Sequence, residues 1–179
     1  MNRILSIVFF LILAETSLYS QQRTAAAPAM LQLTGLTLDG TEVTAQSQEL
    51  AILYEPGYAK GELAFNSVGS PDISIADLFR NNEDNVLYFN ITIPEGKFAF
   101  GTSLEEQFDT RGIITIGEIN SEFGITFTVS HNKTSDQNTF LVIGQGRLSL
   151  SENFNLPDTL GLQDSFTFLF TQNLKVFTP

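Results

Sequence analysis

The chain has 179 residues, with 20 acidic and 9 basic side chains, one His, no Cys and a formal net charge of −11. Without Cys there is no disulfide framework, thiolate metal site or cysteine nucleophile, and one His cannot build a multi-histidine metal cage. The charge disfavours nucleic acid and anionic lipid surfaces, which both ask for a basic face, while 42% hydrophobic and 16% charged residues exclude a disordered acidic tail.

Residues 1–20 read as a secretory signal. Arg3 supplies a positive start, Ile4 to Ala14 is an apolar run interrupted by Ser6, and the small residues Ser17 and Ser20 precede Gln21-Gln22. The run is far shorter than the roughly 20 residues of a membrane span. This predicts an exported chain, periplasmic or extracellular, with no transmembrane segment after cleavage. Residues 21–30, QQRTAAAPAM, read as a flexible leader. A single all-β domain is expected over 31–179.

Alternation of apolar and polar residues then dominates, which is the strand signal. Strands are expected over Leu31–Leu38, Leu50–Tyr54 and Glu62–Phe65, with turns at Asp39-Gly40 and Pro56-Gly57. Ile73–Arg80 reads as a short helix with Asp72 as its N-cap. Asn81–Asn85 is rich in oxygen ligands suited to calcium but lacks the spacing of an EF-hand loop, so it reads as a turn and no metal is expected. Val86–Ile93, VLYFNITI, has the clearest period of two. After the Pro94-Glu95-Gly96 break, Lys97–Phe100 reads as a strand. Ser103–Phe108 reads as a helix, with Ser103 and Glu106 forming a capping box. Ile113–Ile116, Phe123–Ser130, Phe140–Ile143, Arg147–Ser151, Ser165–Thr171 and Leu174–Phe177 complete the expected strands. His131–Asn138 reads as an exposed polar loop. Gly144-Gln145-Gly146 lacks the third glycine and the Lys of a phosphate loop and reads as a bulge or bend.

About eight to ten short strands with one or two short helices predict an all-β fold, a single antiparallel β-barrel or β-sandwich. Neither helix is long enough for a parallel crossover.

Catalytic chemistry has little support. His131 lacks a Gly-x-Ser-x-Gly partner motif, and Glu105, Glu106 and Asp109 suit a solvated face near the N-terminus of a short helix better than a glycosidase pair. No catalytic residue and no cofactor are assigned. Asn90 and Asn132 match the glycan acceptor pattern. The 16 Phe, with no Trp and 4 Tyr, say more. Phe89, Phe123, Phe127, Phe140, Phe166, Phe168 and Phe170 fall on expected inward faces. They form either a packed core or the wall of a cavity for an apolar small molecule or lipid. The alternative function is a solid sandwich acting as a protein-interaction module through Glu55–Lys60, Asn81–Asn85 and His131–Asn138. A hydrolase using the acids is a third reading.

The segment Leu148–Phe170, LSLSENFNLPDTLGLQDSFTFLF, combines a strand, a Phe-Asn-Leu-Pro step, a Leu-Gly-Leu turn, Asp164 and an alternating last strand. In this it resembles the closing segment of YceI-like periplasmic proteins, the polyisoprenoid-binding barrel family. The resemblance implies an antiparallel barrel that holds a long isoprenoid-like lipid and does no catalysis.

Overall fold

The computed structural model describes residues 24–55, 57–71, 86–98, 105–134, 137–154 and 161–176. The expected signal segment, the Ile73–Arg80 helix and Asn81–Asn85 lie outside them. Nine strands run in chain order: β1 Thr24–Ala26, β2 Ala29–Leu36, β3 Glu42–Glu55, β4 Tyr58–Ala64, β5 Val86–Thr92, β6 Glu105–Ile116, β7 Ile119–Thr134, β8 Gln137–Ser149 and β9 Ser165–Val176. Each of β2 to β8 pairs antiparallel with the next, and β9 pairs with both β8 and β2. The result is a closed eight-stranded barrel. β1 extends the line of β2 along β9, with Ala26 opposite Leu174, so strand pairing begins inside the stretch expected to be a flexible leader. Pro28 separates the two pieces, and the side-chain amide of Gln172 donates to the freed Ala27 carbonyl at 2.7 Å.

Closure through the β2–β9 ladder sets the burial pattern. Leu87, Ile91 and Ile93 are buried while Tyr88, Asn90 and Thr92 face solvent. The upper end carries the β2–β3 turn, the β6–β7 hairpin and the helix α1 (Leu150–Phe154). The lower end carries the β3–β4 and β7–β8 hairpins and the start of β6. Gly40, Gly57 and Gly96 have φ of +86°, +88° and +79°, as the expected turns at those positions require. In β3 one extra residue shifts the register between Ser47 and Leu50. Ser47 is buried there, and its hydroxyl meets that of Ser67 at 2.7 Å. Ser67 spends its own proton on the Ala64 carbonyl, so Ser47 is the donor.

Four local expectations are corrected. Residues 105–108 are the start of β6, where Glu106 pairs with Val129 and Phe108 with Phe127. A long ladder to β7 outweighs one local capping box. Lys97 and Phe98 lie in a turn and not in a strand, because Phe98 takes a left-handed φ of 57°. Of His131–Asn138, residues 131–134 and 137–138 are paired strand, with His131 opposite Phe140. Gly144-Gln145-Gly146 sits in uninterrupted register with both β7 and β9, without a bulge.

A serine N-cap does form, at Ser149-Leu150-Ser151-Glu152, where the Ser149 hydroxyl accepts from the Glu152 amide at 3.0 Å. Asp164 ties this N-terminus to β9, accepting from the Ser149 hydroxyl at 2.6 Å and the Ser151 amide at 2.8 Å. These bonds, the Ser149 one first, hold its carboxyl below the usual range. A depressed pKa means stability that is present above the unfolded value and lost as pH falls through the folded one. Asp164→Ala is expected to cost about 1 kcal/mol at neutral pH, and urea melts should show the deficit shrinking toward zero in strong acid.

Candidate functional site

The inward faces of all eight strands meet in an apolar interior. Near its middle and upper part lies a cavity of about 50 Å³, lined only by Leu, Ile and Phe side chains. Of the phenylalanines named from the sequence, Phe89, Phe123, Phe168 and Phe170 line it. Phe127 is buried below it, Phe140 stacks on His131 at 4.3 Å, and the ring of Phe166 lies over Gly35.

Phe65 lines it as well, and the other four lining rings share a feature that sequence reasoning missed. Each is paired across the ladder with a glycine: Phe89 with Gly61, Phe123 with Gly112, Phe168 with Gly146 and Phe170 with Gly144. At all four glycines a Cβ atom would come closer than 3.0 Å to the partner ring. The rings therefore lie back on the wall over the missing side chains. With any larger residue there, they would be pushed toward the lumen. The sequence signal was glycine inside alternating strands, which marks close approach. Its partner is set by register and cannot be read locally.

Below the cavity lies an aromatic floor. Phe108 and Phe127 stack at 5.3 Å, and Phe98 meets both edge-on at 5.6 and 5.3 Å. Phe98 comes from the turn after β5, not from the barrel wall. The neighbouring Lys97 is held by Glu106 at 2.8 Å, with its ammonium 5.6 Å above the Phe108 ring. Tyr54 packs on Phe98 at 5.0 Å. Its ring is partly exposed, but its hydroxyl is buried without a hydrogen-bond partner. Burial pushes that phenol far above its ordinary pKa, so it stays a neutral donor. His131 Nε2 and Gln172 Oε1 are likewise buried without partners.

The other candidates are not brought together. Glu105 and Asp109 face outward, where Asp109 accepts from Thr126 at 2.6 Å, while Glu106 turns inward to Lys97. Adjacent strand residues point to opposite faces, so Glu106 faces away from Glu105 and Asp109. Of the loops proposed for a partner, Tyr58–Lys60 and residues 131–134 are strand. Asn90 is exposed on β5, and Asn132 belongs to β7. Among the described residues, no group of three or more His, Asp or Glu is placed to hold a metal, and no helix is long and apolar enough to cross a membrane.

No family model matches the sequence, and no curated protein does. Solved structures do match. A polyisoprenoid binding domain from Saccharophagus degradans implicated in plant cell wall breakdown superposes with a TM-score of 0.65 at 11% identity, over 86% of this chain and 97% of that one. BcnA of Burkholderia cenocepacia gives 0.57 at 14% identity, over 81% and 95%. A mutant CJ YceI protein gives 0.55 at 11% identity, over 89% and 87%. The chain has the fold of the YceI-like barrels. The likeness anticipated from residues 148–170 thus extends over most of the chain. At such identities the YceI-like architecture carries over and individual site residues do not.

Proposed function

We propose that this chain is an exported, non-enzymatic binding protein that holds an isoprenoid-like lipid in its barrel. The observation that carries the reading is the lumen lined only by Leu, Ile and Phe, four of whose five lining Phe rings rest on glycines. Phe89, Phe123, Phe168 and Phe170 are the proposed wall of the site, with Phe127 in its floor and Phe140 and Phe166 as supporting core. The fold shared with a polyisoprenoid binding domain supports the same ligand class.

Size sets a condition on this function. A void of about 50 Å³ holds little more than one water's share of liquid volume, roughly 30 Å³. Ligand pockets usually run from roughly 300 Å³ upward. A lipid chain therefore enters by displacing side chains. Each buried methylene returns about 0.8 kcal/mol, which over several isoprene units offsets ring rotations costing about 1 kcal/mol each.

The test is native mass spectrometry of the exported protein from its own host, followed by lipid extraction and melting curves with added isoprenoids. A stoichiometric apolar adduct is expected. Saturation at a hundredfold over Kd should stabilise the fold by about 2.7 kcal/mol. A bare protein mass with no melting shift on adding isoprenoids overturns the reading.

A further inference from the structure

The outer wall of β7, β8, β9 and β2 carries no charge over three successive rows of outward side chains. Register sets the rows. Thr128, Ile143, Thr171 and Met30 form the middle one, and Leu169 and Leu141 belong to the rows on either side. The remaining positions are Thr, Ser, Asn or Gln. Met30, Leu141 and Leu169 are 45%, 37% and 37% exposed, and Ile143 is half-buried. Charge returns at the borders, with Arg147 and Lys175 beyond the two ends and Glu105 and Asp109 along β6. The opposite wall is built differently. Leu53, Tyr88 and Ile113 are exposed there too, but register sets Lys60 beside Leu53, Glu62 beside Tyr88 and Glu122 beside Ile113.

We propose that the β7–β8–β9–β2 wall is the face on which a second copy of this chain docks. An apolar centre in a neutral polar surround, depleted of charge, is the make-up of a protein interface. The net charge of −11 then selects the partner. A basic partner drawn in by that charge would find no carboxylate on this face to meet. A second copy is repelled at long range, and a face free of carboxylates is where it can still seat. In a two-fold contact the same patch meets itself, and hydroxyls and side-chain amides suit this, because each both donates and accepts. From strand and residue spacings the patch measures about 19 by 20 Å, roughly 400 Å². Stable interfaces begin at roughly 600 Å² per partner, so the expected dimer is weak and exchanges with monomer, with a micromolar Kd. This inference does not depend on what the barrel holds.

The experiment is sedimentation equilibrium of the exported protein over a range of concentrations, at about 10 and about 150 mM NaCl. Between these the screening length falls from about 30 Å to about 8 Å. A monomer–dimer equilibrium is expected, with the dimer tightening severalfold as salt rises, because salt screens the repulsion and the seam holds no ion pair to lose. Leu169→Lys should weaken it at least tenfold, although it lowers the net negative charge and so reduces the long-range repulsion. Leu53→Lys makes the same charge change on the opposite wall and should not weaken the dimer. Leu169→Gln replaces the lysine variant if that does not fold, with a smaller loss expected. A monomer at every concentration and salt overturns the inference. So does a dimer that weakens with salt, or one that Leu53→Lys disrupts as much as Leu169→Lys. A photo-crosslinking residue at position 169 that captures a different polypeptide in the host, and no second copy, overturns it as well.

Discussion

Phe127→Ala should lower the unfolding free energy by about 3–5 kcal/mol, the usual cost of emptying a buried aromatic site. The Phe127 side chain is fully buried. Its ring stacks on Phe108 and meets Phe98 and Phe170 edge-on, with centroids 5.3 to 5.9 Å apart. Aromatic pairs are worth about 0.5–1.5 kcal/mol beyond the area they bury, so losing three at once places the variant at the upper part of that range. The barrel has little room to collapse into the hole, because Phe108 and Phe170 are fixed by ladders on either side. Domains of this size hold roughly 5–15 kcal/mol in total. The variant should therefore unfold at much lower denaturant, with m unchanged if the barrel stays two-state. Leu38→Ala, at a turn residue that is 70% exposed, should stay within about 0.5 kcal/mol. Equal midpoints for the two variants would mean that the aromatic floor does not hold the barrel together.

The fold was legible where the period of two was unbroken. Val86–Ile93 and Phe123–Ser130 read correctly as strands with correct faces, because closure of the barrel buries one face of every strand. Where one inward residue is polar, the pattern split a strand. Gln172 faces inward, at 2% exposure, between Phe170 and Leu174, so β9 read as two pieces. The same rule failed at Lys97–Phe100, where Phe98 enters the interior from a turn. The capping signal Ser-x-x-Glu occurs at 103–106 and at 149–152. It caps a helix only at the second, where β8 ends and Asp164 supports the cap. At the first, β7 supplies a strand partner. His131–Asn138 reads as a loop because it is polar, yet polarity does not prevent strand pairing, and His131 pairs with Phe140.

The candidate site was legible as a set of inward Phe residues but not as a cavity. Core and cavity ask for the same side chains, and the glycines opposite four of the lining rings show only in the register. Gly61 and Phe89, or Gly144 and Phe170, are far apart in sequence and meet only through register. Tyr54 and Phe98 escaped notice for a related reason. Their importance lies in a contact across the barrel floor that no local pattern encodes.

Gly144→Ala tests the glycine arrangement most directly. Gly144 sits between Phe127 on one neighbouring strand and Phe170 on the other, and those two rings meet across it. An added methyl would overlap the Phe170 ring and approach Ile125 Cδ1 to 3.1 Å. Replacing a strand glycine by alanine gains about 0.5–1 kcal/mol through the unfolded chain. Overpacking a tight core costs about 1–3 kcal/mol. The second effect should win, leaving a net loss of about 1–2 kcal/mol. The displaced Phe170 ring has one open direction, into the lumen it lines, so lipid loading should fall along with stability. Adding Phe170→Leu, which removes the colliding ring edge, should leave the double variant less destabilised than the sum of the single changes. Neighbours in contact are where such non-additivity is expected. Additive losses in denaturant melts would show that the ring does not depend on the glycine. Unchanged loading of Gly144→Ala would show that Phe170 does not border the space the ligand fills.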